Sequence, residues 1–188
     1  MQWPTIFGLP AHPLIVHATV VLVPLAAVAV LLHTFWRPAR ARLGLVTLLS
    51  SALAVVLVPL STSTGEQLEE QVGDSSLIER HAELADGLLP WVIGLLVVAV
   101  LLWVRDRRDA GRTTPLVSSG TGRRLSDAVL TPVVIGILAV VAVLGTTQQV
   151  VRIGHSGAKA AWHGVAAGSS ADTADSGGSG GEPDGDGR

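Results

Sequence analysis

The stretch Gly8-Leu9-Pro10-Ala11-His12-Pro13-Leu14-Ile15-Val16-His17 decides how the chain is read. It leads directly into an uninterrupted apolar segment, Ala18 to Leu32. Pro13 suits the first turn of a helix, where its missing N–H costs nothing. The span from about 13 to 36 exceeds the roughly 20 residues that cross a bilayer core. A membrane helix therefore begins here, with His12 at its mouth and His17 one turn inside. An ionisable side chain at that depth is expensive and marks a candidate site.

Three further apolar segments follow, at about 43–62, 87–104 and 128–150. Mean hydropathy is +0.51, and charged residues make up 15% against about 25% in an ordinary soluble domain. The expected fold is an all-α, polytopic membrane protein: a bundle of four transmembrane helices running up-down-up-down over residues 1–165. The spans leave no room for a second folded domain. Residues 166–188 are rich in Gly, Ser and Asp, cannot bury a core, and are expected to be disordered. The absence of cysteine excludes disulfides, thiolate metal sites, iron–sulfur clusters and covalent c-type haem attachment. Met1 to Val16 holds no Lys or Arg, so it is not a signal peptide. Trp3 and Phe7 suit the headgroup level.

Local signals subdivide the rest. Pro24 is expected to kink the first span, and Pro59 with Ser61-Thr62-Ser63-Thr64-Gly65 to end the second. An acidic loop, Glu66 to Asp86, comes next. Ser76 and Glu79 have the spacing of a capping box, so a helix starts near Ser76 and carries His81 towards the membrane. Gly111 to Gly122 reads as an unstructured connection.

Orientation follows from the basic residues. Arg37, Arg40 and Arg42 lie between spans one and two, and Arg105, Arg107, Arg108, Arg112, Arg123 and Arg124 between three and four. The other side holds only Arg80, Arg152, Lys159 and Arg188. Cytoplasmic loops carry the excess of Lys and Arg, so both termini and the acidic loop are expected to be extracytoplasmic. A reporter active only in the cytoplasm should work when fused after Arg40 or Thr114 and fail after Gly73 or at the C-terminus. The reverse pattern would invert the topology.

That topology sorts the six histidines. His12, His17, His81, His155 and His163 fall at or near the extracytoplasmic side, whereas His33 falls on the cytoplasmic side. Span two brings Thr62, Thr64 and Glu66 to the same level as the larger group. Imidazoles on facing helices at one depth suit iron or copper chemistry, and bundle cores hold cofactors in this way. The expected cofactor-binding residues are His17 and His81 first, then His155 and His12, with Arg152 near haem propionates. A metal would take His17, His81, His155 and Glu66. Each histidine also has an ordinary structural reading: a helix cap for His12, a hydrogen bond to a neighbouring helix for His17, a solvated loop position for His81, and a glycine-flanked backbone site for His155. His33 and His163 read as interfacial residues outside the site.

The segments Gly8 to His17, Thr64-Gly65-Glu66, Arg80-His81-Ala82 and Arg152-Ile153-Gly154-His155-Ser156-Gly157-Ala158 together resemble the domain of unknown function 2231 family of small four-span bacterial membrane proteins. The likeness covers about Trp3 to Trp162. It departs from the family pattern after the second histidine, where Ala18-Thr19 stands in place of Phe-Pro. The resemblance implies the four-span fold and a histidine cluster, but no settled activity.

The functional expectation is a small integral protein of the cell inner (plasma) membrane. It binds b-type haem, or another redox metal such as copper, at the extracytoplasmic end and acts in electron transfer or redox sensing. The alternative is a non-haem metal-binding protein, for instance with zinc, or a cofactor-free structural subunit anchoring a partner complex. Neither reading makes it an enzyme on its own. Its expected partners are the lipid bilayer and a redox partner or a second copy, not nucleic acid.

Overall fold

The computed structural model describes residues 5–6, 9–72, 76–111 and 125–175. Trp3, Phe7, the connection 112–124 and the segment 176–188 lie outside the described residues, as do the side chains of His12 and His163. The expectations placed on them rest on sequence.

Five helices account for nearly all of the described chain: α1 (Ala11–Phe35), α2 (Arg37–Val72), α3 (Ser76–Asp86), α4 (Leu89–Ala110) and α5 (Leu125–Asp175). Ahead of them, Thr5–Ile6 and Leu9–Pro10 form a two-residue antiparallel pairing. Four segments are long and apolar enough to cross a membrane: Pro13–Phe35, Arg37–Gln67, Ser76–Ala110 and Thr131–Lys159. Side chains such as Val20, Leu25, Leu49, Val97, Ile137 and Leu144 are exposed outward along them. Apolar residues on the outer as well as the inner face are what a lipid-surrounded helix requires. The fold is an all-helical four-span bundle.

The four long helices close a ring. α1 packs on α2, α2 on α4, α4 on α5, and α5 back on α1, while α3 lies against α5 and α2. Two apolar cores fill the ring. Val30, Leu95, Val98, Leu102, Ile135 and Ala139 belong to one; Val23, Ala54, Val58, Leu88 and Val92 form the other. Lipid tails are as apolar as Leu, so helices in a membrane associate through close packing and hydrogen bonds, and small residues let backbones approach. Ala26, Ala54, Ala99 and Ala139 are all fully buried. The closest approach is at Gly145, where a Cβ would overlap the Trp91 ring.

Three local features differ from or refine the sequence reading. First, α2 does not stop at Pro59; it continues to Val72. The hydroxyl run expected to break it is turned inward on its own backbone. Thr62 Oγ1 donates to Pro59 O at 3.1 Å, while Ser63 Oγ and Thr64 Oγ1 donate to Leu60 O at 3.2 and 2.9 Å. Polar groups that might compete with the helix are thereby satisfied within it.

Second, the helix from Ser76 exists as expected but ends at Asp86, and α4 starts anew at Leu89. Pro90 lacks the N–H that would continue the ladder. The last turn tightens instead, with Leu88 N donating to Ala85 O at 3.0 Å. Gln149 of α5, a largely buried side chain, caps the Leu84 carbonyl through Nε2 at 2.5 Å. Third, α1 and α2 are joined by Trp36 alone. Its N–H donates to Leu32 O at 2.9 Å, and Arg40 N–H donates to its carbonyl at 3.1 Å.

Candidate functional site

The bundle has an acidic end, where α1 begins and α2 ends, and an arginine-rich end, where α1 meets α2 and α4 ends. The histidines singled out by sequence belong to the acidic end.

His17 is exposed on α1, and its Nδ1 lies 2.6 Å from the Pro13 carbonyl one turn earlier. A carbonyl only accepts, so Nδ1 carries the hydrogen and the neutral ring keeps its lone pair on Nε2. The helix backbone, not Thr64 of α2, takes that N–H. Thr64 bonds instead to Leu60 O and Ser61 O.

His81 is half-buried between α3 and α5, with Nδ1 2.9 Å from Ser156 Oγ. Ser156 has one hydroxyl hydrogen and gives it to Ile153 O at 2.9 Å. With the hydroxyl hydrogen on Ile153 O, the serine accepts from His81 Nδ1–H; in this ring too Nε2 takes no protein hydrogen bond among the described residues. Gly157 makes the contact possible. A Cβ there would stand 3.1 Å from His81 Cε1, tighter than ordinary packing allows. Thus the Ser156-Gly157 pair inside the Gly-His-x-Gly segment docks α3 on α5, whereas His155 itself is exposed. Glu66 and Arg152 are also exposed.

The structure joins His81 to Ser156 and Gln149 to Leu84. It shows no hydrogen bond linking His17, His81 and His155 among the described residues. Nor do the described residues include a group of three or more His, Asp or Glu side chains that could hold a metal ion.

The residue that sequence reasoning misplaced is His33. Read as interfacial, it is fully buried, and its Nε2 lies 2.7 Å from Asp106 Oδ2 on α4. Asp106 keeps 27% of its side chain exposed, so the pair reaches from the interior to the surface. Arg40 closes the same corner, donating to the Thr34 carbonyl at 3.0 Å and to the His33 carbonyl at 3.5 Å. Gly44 of α2 faces the pair; a Cβ there would stand 3.8 Å from His33 Cε1 and 4.0 Å from Asp106 Oδ2. Three polar side-chain atoms buried among the described residues have no hydrogen-bond partner: His33 Nδ1, Thr47 Oγ1 and Ser51 Oγ. Each such atom costs about 1–3 kcal/mol when left dry.

A closed ring of four apolar helices, with polar side chains gathered at both ends, defines a multi-pass integral membrane protein. The chain belongs to the family described as predicted membrane protein (DUF2231), whose model matches residues 8–168. No curated protein and no solved structure matches it.

Proposed function

We propose that this membrane protein binds a b-type haem through His17 and His81 at its acidic end and serves in one-electron transfer or redox sensing. With the arginine-rich end in the cytoplasm of the cell, that site faces outward across the inner (plasma) membrane, towards a redox partner or a second copy of the chain. The observation that supports the reading is a shared arrangement. On both rings Nδ1 is hydrogen-bonded to a protein oxygen and Nε2 takes no protein partner among the described residues, the arrangement in which metal-ligating histidines are usually held. The donor chemistry favours haem over copper or zinc. A porphyrin supplies four ligands itself and asks the protein for two, whereas zinc needs three or four protein ligands. When bound, the iron would supply the electron-carrying centre. The chain's own part is to orient the imidazoles through Pro13 and Ser156. His155, His12 and Arg152 remain candidates for a second ligand pair and a propionate contact, and Glu66 for a non-haem metal.

One observation favours the alternative of a structural subunit. The His81–Ser156 and Gln149–Leu84 bonds hold α3 to α5, as interhelical polar contacts do in many membrane bundles. Spectra and metal content separate the two. Purified protein should show a Soret band that shifts on reduction. Bound iron should be lost in His17→Ala and His81→Ala, partly or wholly lost in His155→Ala, reduced less in His12→Ala, and retained in His33→Ala and His163→Ala. If the parent protein carries neither haem nor iron, copper or zinc, the structural-subunit reading takes its place.

A further inference from the structure

A second polar cluster lies at the opposite end of the bundle, independent of the cofactor reading. Its members come from three helices. α1 contributes His33, α4 contributes Asp106, and α2 contributes Thr47 and Ser51. Positions 44, 47, 51, 54 and 58 share one face of α2, by the helical period. Gly44 abuts the His33–Asp106 pair, and Ala54 and Val58 are in the core. Thr47 and Ser51 therefore continue inward from the pair along the same stripe, both fully buried. Hydroxyls in membrane helices ordinarily bond back to a carbonyl three or four residues earlier, as Thr19, Thr34 and Thr146 do here. Thr47 and Ser51 do not.

Three unpartnered polar atoms in an apolar bundle call for something small that both gives and accepts hydrogen bonds. Water is the ligand of that class; a buried water makes about three such bonds to otherwise unsatisfied groups. The imidazole at the outer edge adds acid–base chemistry. With Nε2–H donated to the Asp106 carboxylate, Nδ1 is the basic atom of the neutral ring, and it is the unpartnered one.

We infer that His33, Asp106, Thr47 and Ser51 form a hydrated proton-binding site entered from the arginine-rich face past Asp106. A hydronium ion gives its proton to the pair and leaves as water. The imidazole becomes imidazolium, Nε2–H stays on the carboxylate, and Nδ1–H points to the water held by the hydroxyls. The pair passes from a net charge of −1 to zero, a change that a low-dielectric interior accommodates. The charged groups facing His33 are Asp106 on α4, bonded to Nε2, and Arg40 on α2, seated on the His33 and Thr34 carbonyls. α5 brings no titratable residue between 131 and 143. Arg105 of α4 is paired with Asp109 at 3.7 Å.

The test uses the full chain in phosphatidylcholine nanodiscs with nitrogen-15-labelled histidine, read by ring-nitrogen NMR from pH 4.5 to 8.5. The His33 resonances are assigned by their loss in His33→Gln. They should convert from a neutral ring to imidazolium within this range and show exchange with water. In Asp106→Asn the response of the His33 ring nitrogens to pH should differ from the parent's, because the anion bonded to Nε2 is gone. Asp106→Glu, which keeps the charge, should retain titration and serves if the Asn variant does not fold. Thr47→Val with Ser51→Ala should keep the fold and lose the water contact. His33 ring nitrogens unchanged across the range, or a water contact that survives in the double variant, would overturn the proposal. So would an Asn variant that titrates like the parent.

Discussion

Gly145→Leu is expected to abolish the folded bundle, and Gly145→Ala to weaken it by about 2 kcal/mol, the usual scale of overpacking in a filled core. The reason is the Trp91 ring, which occupies the space a Cβ at position 145 would take. α4 and α5 cannot separate to make room without opening the neighbouring core around Leu95, Ala139 and Ala142. Thermal unfolding of detergent-purified protein measures the loss. Combining Gly145→Ala with Trp91→Leu should recover part of it, because residues in contact couple non-additively. Additive effects of the two substitutions would mean that the ring and the glycine do not meet.

Asp106→Ala is expected to cost about 3 kcal/mol, since removing one partner of a buried polar pair strands the other. His33 Nε2 would then lose its one protein partner among the described residues, on a side chain that is fully buried. Asp106→Asn should cost less, because the amide oxygen still accepts from Nε2–H. In the background of His33→Leu, removal of Asp106 should cost little, as an apolar side chain of similar size leaves nothing stranded. The same thermal measurement on the four proteins closes the cycle. An equal cost with and without the imidazole would show that Asp106 stabilises the bundle through some other contact.

What was legible in the sequence is what depends on local pattern. The four apolar runs, the helix start at Ser76, and the placing of His17, His81 and His155 at one end of the bundle with His33 at the other all come from composition and near-neighbour spacing. Pro59 misled because a proline removes one N–H from the ladder, to the carbonyl one turn earlier, and leaves the rest of the helix free to continue. Thr62, Ser63 and Thr64 spend their hydroxyls on the carbonyls of Pro59 and Leu60 within the helix, so they do not compete with it. His33 was hidden for another reason. Arg37, Arg40 and Arg42 follow it closely, the usual signature of a residue at the membrane surface. Its partner Asp106 stands within Arg105-Asp106-Arg107-Arg108-Asp109, which reads as a solvated charge run. The two are 73 positions apart, and only the register of α1 against α4 brings them together. Gly44, on the face of α2 that meets both, carries no charge or hydroxyl that would have pointed to them. At the acidic end, the Gly-His-x-Gly segment lies within the regular helix α5. Its contacts come from Ser156 and Gly157, which meet His81, while His155 is exposed.

The single-residue link at Trp36 has a mechanical consequence. Two long helices joined so tightly, stitched by Arg40 to the Thr34 carbonyl and packed on each other, are restrained against swinging apart at that end. The His33–Asp106 bond ties the same corner to α4. Any tilt of α2 about that corner, as about a fulcrum, grows along its length to the far end at Val72. At 1.5 Å per residue, the 36 residues of α2 make an arm of about 54 Å. A tilt of a few degrees at the fulcrum displaces its tip by several ångströms.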